Sequence, residues 1–331
     1  MLNQKIVLSA FLAAAALPVC AQSSLQIYGR VNTTVEQQKL GGETVRGVFN
    51  NSSRIGFKGT EDLGQGLKAG FILESGFASD NGAGAATGGG LDFGRQSELF
   101  VQNDAGMLRL GNFTSESYFA TADMVSMHNH DTGASSDALY AWFYRDTNKV
   151  AYRTPVVANT WVEVGYSFHE KQDTQKNVWD VAANYENGNL GLGLGLTDHG
   201  NDRQVAVRAS YSIDQWTLGG YVQRVESGKH TSAEEKWANY RLAAAYSLGN
   251  SELHANVGYA DRKGGRAATQ WTLGANHNLS KRTKVYASYS RVNNSDNASY
   301  GYGANSTLET AAGGVTGKNF SALAIGVRHN F

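Results

Sequence analysis

The residues of this sequence best placed to do chemistry are basic side chains that alternate with apolar or small ones. Such alternation puts the basic groups on one face of a strand, where fixed positive charge attracts anions. For any single cation, simple solvation near an edge explains the pattern equally well. The acidic residues that could lie opposite these positive charges are all in one long connecting segment. The basic set is Arg30, Arg54, Lys58, Lys68, Arg109, Lys149 and Arg153, and the acidic set is Glu116, Asp123, Asp131 and Asp137.

The other residues give little indication of a catalytic, metal or phosphate-binding site. His128 and His130 lack a further ligand at fixed spacing, so the signal for a metal site is weak. Gly191, Gly193 and Gly195 alternate with leucine, as in a strand, whereas a phosphate-binding loop has another spacing and precedes a helix. No Ser-His-Asp or Cys-His arrangement stands out. We therefore expect no catalytic residue, no metal, no cofactor, and a protein that is not an enzyme.

The first 21 residues have the composition of a secretory signal peptide. Lys5 is basic, residues 6–17 are apolar, and small residues favour cleavage after Ala21. The apolar run is too short to span a membrane as a helix. Cys20 allows a lipoprotein alternative, but the residue before it is larger than that processing needs. The mature domain would then run from 22 to 331, without a cysteine.

The charge balance of the mature chain argues against polyanionic partners. The full sequence has 29 basic and 29 acidic residues, and loss of Lys5 with the signal leaves 28 against 29, a net charge of −1. Neither nucleic acid nor a polybasic contact with a membrane surface is indicated. Pro155 is the only proline after the signal, so few strands are forced to end.

Two-residue periodicity is clearest from Ser52 to Phe77. Ile55 and Phe57 alternate with Arg54 and Lys58, a polar turn follows, and the alternation then resumes. One face of each strand is thus apolar and the other faces water. Similar segments recur to the end of the chain. A soluble β-sandwich and a membrane β-barrel both produce this pattern.

The lengths of the connections favour the barrel. Short turns alternate with long connections, as in outer-membrane barrels, and about sixteen strands is an even number, as such barrels require. In hydrocarbon no strand edge can stay unpaired, so residues 320–331 must pair with residues 25–36. The expected long connections are Lys39–Asn51, Ser79–Leu91, Phe113–Thr147, Glu226–Glu235 and Asn293–Lys318.

Several segments taken together resemble the general porins of β-proteobacteria. In the family's order and spacing they are residues 22–32, 52–77, 93–112, 279–294 and 325–331. The resemblance implies an all-β fold, a 16-stranded antiparallel transmembrane β-barrel. It also implies a homotrimer, a long third loop folded into the lumen, and a C-terminal Phe331 that the barrel-assembly machinery reads at insertion.

Three positions depart from the family pattern. Asn112 replaces the usual arginine after the LG pair of the fifth strand, and Asn32 replaces a common aspartate. The sixth strand has Ala151-Tyr152-Arg153 where the family has Arg-Tyr-Asp. These exchanges alter charges near the pore wall, so the family's detailed selectivity does not transfer.

The resulting hypothesis is a porin of the Gram-negative outer membrane, a water-filled channel for passive diffusion of small hydrophilic solutes and ions, mildly anion-preferring. The segment Phe113–Thr147 would narrow the pore, with its acids exposed opposite the basic wall. The alternatives are a surface loop packed on itself, a barrel acting mainly as an adhesin or structural surface protein, and an outer-membrane hydrolase. Expected partners are outer-membrane lipid or lipopolysaccharide, and no nucleic acid.

Overall fold

The computed structural model describes residues 24–123, 125, 133–143, 145–171, 176–229, 231–302, 308 and 314–331. The expected signal peptide, residues 1–21, lies outside these ranges, as do His128, His130 and Asp131. Within the described ranges, no helix is long and apolar enough to cross a membrane.

β-Strands dominate the fold, and all of them belong to one antiparallel sheet. Long connections gather at one end of the sheet, here called the loop rim, and short turns gather at the other, the turn rim. The strands are β1 Ser24–Leu40, β2 Glu43–Asn50, β3 Arg54–Gly64, β4 Leu67–Gly76, β5 Gln96–Asn103, β6 Gly106–Asn112, β7 Lys149–Arg153, β8 Thr160–Ser167, β9 Val178–Asn187, β10 Leu190–His199, β11 Asp202–Ile213, β12 Trp216–Ser227, β13 Glu235–Leu248, β14 Ser251–Arg262, β15 Arg266–Asn278, β16 Thr283–Asn294 and β17 Phe320–Asn330.

Pairing at both edges of β1 closes the sheet into a barrel. One edge lies against β17, from Arg30 opposite Asn330 to Leu40 opposite Phe320. The other edge pairs with β2 in its C-terminal part and with β3 in its N-terminal part. β2 and β3 are therefore two halves of one barrel strand, interrupted where Ser52 has a left-handed φ of 59°. The prediction of a closed, sixteen-stranded antiparallel barrel is confirmed.

Phe331 completes the seam between the first and last strands. Its amide donates to the Gly29 carbonyl at 3.1 Å, and the Gly29 amide donates to the Phe331 carbonyl at 3.1 Å. The phenyl ring covers Gly29 so closely that a Cβ there would lie 2.4 Å from it. The seam is thus paired to its last residue.

The two faces of the wall differ as the alternation predicted. Large apolar side chains on the outer face are exposed, including Val35 at 64%, Leu242 at 67% and Ile325 at 63%. Aromatic pairs such as Trp216 and Tyr246 lie on the same face. An apolar outer surface is what contact with lipid requires. The opposite, polar face carries small and polar residues, among them Asn32, Thr34, Gln204, Gln223, Asn239, Gln270 and Thr272.

The first expected long connection is wrong. Across Lys39–Asn51 the strands β1 and β2 continue almost without interruption, and a tight turn at Gly41 and Gly42 joins them. Near the loop rim the outward side chains of this hairpin, Lys39, Thr44 and Arg46, are polar, whereas Leu40 and Phe49 on the inner face are buried. The apolar outer residues that mark a lipid-facing strand are therefore missing at this end of the hairpin.

The connection between β6 and β7 is the longest and packs on the polar face of the sheet; we call residues 113–147 the inner segment. It contains a short helix, α1 (Glu116–Tyr118), a π-helical turn (Phe119–Asp123) and a 3₁₀ turn (Gly133–Ser135). Its first part contacts β9, β10 and β11, and the 3₁₀ turn contacts β16 and β17. An apolar cluster joins it to the wall, formed by Ala122, Val125, Tyr140, Ala206, Tyr221 and Ala243.

Candidate functional site

Glycines on the polar face of β10 form a seat for α1 and the π-helical turn. A Cβ built on Gly193 would lie 1.8 Å from the carbonyl oxygen of Ala120, and one on Gly195 would lie 2.6 Å from that of Ser117. Side-chain carbons do not approach backbone so closely, so the seat exists only because both residues lack a side chain. The leucines that alternate with them point outward. In β10 the leucines thus face lipid on the outside, and the glycines contact the inner segment on the inside.

Asp180 of β9 fixes the start of the inner segment. Its carboxylate accepts hydrogen bonds from the Ser117 amide at 3.2 Å and from the Ser117 hydroxyl at 2.5 Å. The Thr197 hydroxyl of β10 donates to the same carboxylate at 2.8 Å. Because Asp180 is only 5% exposed, these donors replace water that the carboxylate has lost.

Asp137 fixes the second half of the inner segment through a buried ion pair. Its Oδ1 lies 2.8 Å from Nη1 of Arg241 of β13, whose side chain has no exposed surface. The Tyr221 hydroxyl of β12 donates to Oδ2 of Asp137 at 2.5 Å. Arg241 also donates to Asn256 of β14 at 2.6 Å. The pair therefore joins the segment to three strands.

Lys149 at the start of β7 anchors the base of the inner segment. Its ammonium donates to the Phe113 carbonyl at 2.9 Å and to the Ser115 hydroxyl at 2.7 Å. This ammonium and the Arg109 guanidinium both lie near the Phe113 ring, 5.0 and 4.1 Å from its centre. Burial raises the pKa of the nearby Asp146 carboxyl, and Lys149 opposes that rise. Lys149 is therefore a buried anchor; it does not face open water.

Five charged residues form a continuous chain of ion pairs from the inner segment into the wall. Glu116 of α1 meets Arg153 of β7 at 2.5 Å, and Arg153 meets Glu163 of β8 at 2.8 Å. Arg109 of β6 lies 2.9 Å from Glu163 and 2.6 Å from Glu98 of β5. Three carboxylates thus pair with two guanidiniums, which leaves a net charge of −1 when all five groups are ionised. Direct contact between Glu116 and Arg153 replaces the expected aqueous gap.

The position of Glu116 in this chain alters its protonation. Burial raises the pKa of the Glu116 carboxyl to about 7; Arg153 opposes the rise and Glu163 adds to it. The carboxyl therefore changes charge near neutral pH. Its protonation would leave Arg109 and Arg153 balanced by two carboxylates in place of three.

The other four predicted cations lie on the polar face of β1, β3 and β4. Lys58 and Lys68 are exposed, and Arg30 is partly exposed. Arg54 lies 3.8 Å from Glu74 of β4, a longer approach than those in the ion-pair chain. These residues therefore occupy a different part of the wall from Arg109, Lys149 and Arg153.

Two further cations on the neighbouring strands were not among the predicted residues. Arg328 of β17 and Lys284 of β16 lie opposite each other in register, as Arg30 and Arg54 do between β1 and β3. Like charges in register destabilise an antiparallel pair, so two such pairs side by side are unusual. Alternation with the apolar residues beside them would have identified both cations from the sequence.

The four predicted acids lie in different environments. Glu116 and Asp137 are buried in ion pairs, although exposure to the pore was expected. The difference has a physical cause, because a buried carboxylate is stable only beside a donor or a cation. Asp123 is partly buried, and Asp131 lies outside the described residues. The partner Arg241 could not be predicted, since its contact depends on the path of the inner segment.

Comparison with known proteins gives concordant matches along the whole chain. The family model of Gram-negative porins matches residues 8–297. Outer membrane porin protein 32 of Delftia acidovorans is 30% identical, over 94% of this chain and 95% of its own. Major outer membrane protein P.IB of Neisseria meningitidis serogroup A is 28% identical, over 96% of this chain and 97% of its own.

Solved structures share the same architecture. The anion-selective porin from Comamonas acidovorans superposes with a TM-score of 0.80 at 27% identity, over 94% of this chain and 100% of its own. OmpT of Vibrio cholerae in its trimer form has a TM-score of 0.66 at 16% identity, over 93% of this chain and 99% of its own, which shows likeness of fold alone. By its sequence and its barrel, the chain belongs to the Gram-negative porin family and forms a diffusion channel in the outer membrane.

Proposed function

We propose that the channel prefers anions because positive charge is concentrated on one part of its polar face. Arg30 faces Arg54, and Arg328 faces Lys284, across four adjacent strands; we call these four residues the cationic strip. Like charges in register oppose folding, so a role in attracting solutes is the simplest reason for them. The two in-register pairs are the observation that carries the proposal.

The cationic strip continues toward the turn rim through Lys58 and Lys68, which are exposed. The ion-pair chain adds no net positive charge to this field at a pH where Glu116 is ionised, because Arg109 and Arg153 are paired with three carboxylates. A pore wall rich in arginine and lysine raises the local concentration of anions. The proposed selectivity therefore comes from the strip and its two lysines, whereas sequence analysis attributed it to seven cations.

The inner segment is proposed to narrow the channel. Its contacts with Asp180, Arg241 and Gln270 on β9 to β15, and those of its 3₁₀ turn with β16 and β17, support this proposal. Passage would then be confined to the side lined by β1, β3 and β4, where the cationic strip begins. Solutes would pass beside fixed charge without any bond being made or broken.

The relatives support two further parts of the proposal. The structure from Comamonas acidovorans is that of an anion-selective porin, and the Vibrio cholerae structure is in trimer form. We propose the same preference and a homotrimer for this chain. We also propose that Phe331 is read by the barrel-assembly machinery, as the resemblance implied.

Reversal potentials in planar bilayers under a KCl gradient test the anion preference. We expect the wild type to favour chloride, and Arg54→Gln and Arg328→Gln each to shift the reversal potential toward zero. Arg224→Gln removes an exposed arginine from the outer face and serves as the control. A wild-type potential of cation-selective sign, or an equal shift in the control, would contradict the proposal. Conductance steps in groups of three would support the homotrimer.

A further inference from the structure

Three aromatic rings of the inner segment leave part of their surface in contact with water; we call Tyr118, Phe119 and Trp142 the aromatic shelf. Phe119 is 39% exposed and Trp142 is 49% exposed, and Tyr118 is partly exposed. Among the described residues, the other exposed large apolar side chains lie on the outer face of the barrel or in other connections. Aromatic surface that meets water beside a polar wall is therefore a particular feature of the inner segment.

The three rings pack on one another and on a buried base. The ring centre of Tyr118 lies 4.6 Å from that of Trp142 and 5.6 Å from that of Phe119. Tyr140 forms the base, with its ring centre 5.7 Å from that of Trp142 and 5.4 Å from that of Tyr221 of β12. Packing on the wall explains Tyr140, which is only 3% exposed. It does not explain the ring surface that Phe119 and Trp142 leave in water.

Hydrogen bonds to the wall fix the direction in which the shelf points. The Ala141 amide donates to the Gln223 side chain of β12 at 2.9 Å, and the Ala141 carbonyl accepts from it at 2.9 Å. The hydroxyls of Tyr140 and Thr121 are hydrogen-bonded at 2.9 Å. With Tyr140 and Ala141 held against the wall, the exposed ring of Trp142 can meet water only in the lumen. The rings are thus in place before a solute arrives, which lowers the entropic cost of contact.

The shelf lies across the lumen from the cations of β3. α1 and the π-helical turn, which carry Tyr118 and Phe119, contact β9, β10 and β11. Because β2 and β3 form one barrel strand, β11 is eight strands away from β3 in either direction around the sixteen-stranded wall. Arg54 and Lys58 lie on the polar face of β3, on the opposite side of the passage. A solute that crosses the channel therefore has aromatic surface on one side and positive charge on the other.

We propose that the channel favours aromatic carboxylates, whose ring contacts the aromatic shelf while the carboxylate turns toward Arg54 and Lys58. Offset and edge-to-face contacts between rings are favourable beyond the apolar area that they bury. A small hydrated ion gains nothing from such a surface and would use the cations alone. The inference rests on the proposed anion preference and adds to it the class of solute.

Block of the ion current in planar bilayers tests the shelf, with benzoate, acetate and benzamide added separately in KCl. We expect half-block of the wild type by benzoate at a concentration about tenfold lower than by acetate, as one or two aromatic contacts would give. Benzamide has the ring without the charge and should block more weakly than benzoate. Phe119→Ser/Trp142→Ser should lose the difference between benzoate and acetate. Phe119→Tyr/Trp142→Phe keeps both rings and should retain that difference.

Phe168→Ser/Trp179→Ser is the matched control, because it removes two rings of the outer face that are 48% and 53% exposed. It should respond to the three solutes as the wild type does, and an equal loss of benzoate preference there would contradict the shelf. Equal block by benzoate and benzamide would overturn the assignment to anions.

The wild-type reversal potential separates this test from the one on the cationic strip. An anion-selective potential without a preference for benzoate over acetate would overturn the shelf alone. A cation-selective potential with that preference intact would contradict the cationic strip and still support contact between the solute ring and the shelf.

Discussion

The carbonyl oxygen of Ala120 rests against Gly193 so closely that a Cβ at position 193 would lie 1.8 Å from it. The neighbouring turn of the inner segment is tied down by the bonds from Ser117 to Asp180. The segment therefore cannot slide aside to admit a methyl group. The inner segment can approach the wall this closely only because the side chain at position 193 is a single hydrogen atom.

Gly193→Ala should push the inner segment away from β10 and toward the passage. We expect a lower single-channel conductance and a loss of about 1–3 kcal/mol in the free energy of unfolding, as overpacking usually brings. Gly191→Ala is the matched control: its Cβ would meet Ser210 Oγ and Glu186 Oε2 at 2.6 and 2.8 Å, and those side-chain ends can rotate away. Equal conductance in the two variants would contradict the conclusion that Gly193 sets the position of the inner segment.

Glu116 should make ion selectivity depend on pH. Because its pKa is raised to about 7, the carboxyl is mainly ionised above that pH and mainly neutral below it. Lowering the pH from about 8 to about 6 therefore removes negative charge beside Arg153 and should increase anion preference. Glu116→Gln should show the low-pH selectivity at both pH values. Reversal potentials measured across this range check it, with Glu170→Gln, an exposed acid between β8 and β9, as the control.

Loss of the Asp137 carboxylate should release the second half of the inner segment. Asp137→Asn leaves the buried Arg241 charge without its counter-ion, and we expect a loss of about 3 kcal/mol in the free energy of unfolding. Faster protease cleavage within residues 113–147 should accompany it. Asp137→Asn/Arg241→Gln should recover part of the stability, because the unpaired charge is gone. Strictly additive losses in the two single variants would argue against a coupled pair.

Removal of the terminal ring should weaken the seam. Phe331→Ala uncovers Gly29, and we expect the folded band on unheated SDS gels to convert to the unfolded form at a lower temperature. If the terminal residue also acts as an insertion signal, the yield of barrel in the outer membrane should fall. Phe168→Ala removes an outward aromatic that is 48% exposed and lies away from the seam. Equal effects of the two substitutions would contradict a special role for Phe331.

The barrel could be predicted from the sequence where lipid selects one face of a strand. Ile55 and Phe57 alternate with Arg54 and Lys58 because the wall separates hydrocarbon from water. The same rule failed at Lys39–Asn51, where the hairpin reaches the loop rim and its outward side chains Lys39, Thr44 and Arg46 are polar. Alternation of apolar and polar residues therefore indicates that a strand has lipid on one face, and strands in other surroundings can lack it.

The charges on the wall were predictable only in part. Strand parity placed Arg109, Lys149 and Arg153 on the polar face, but it could not indicate that carboxylates and the base of the inner segment would bury them. Pairing partners depend on strand register and on the path of a segment whose sequence has no periodicity. The ion pair between Asp137 and Arg241, which are more than 100 residues apart, is one example.

The seam between β1 and β17 has a consequence for how the protein is made. The two strands lie about 300 residues apart, so neither edge can be satisfied until the last residues have been synthesised and delivered. A chain cut short before β17 would present two open edges, each able to pair with a neighbouring chain. Closure of the wall is therefore the last step that the chain can complete, and both edges stay open to other chains until then.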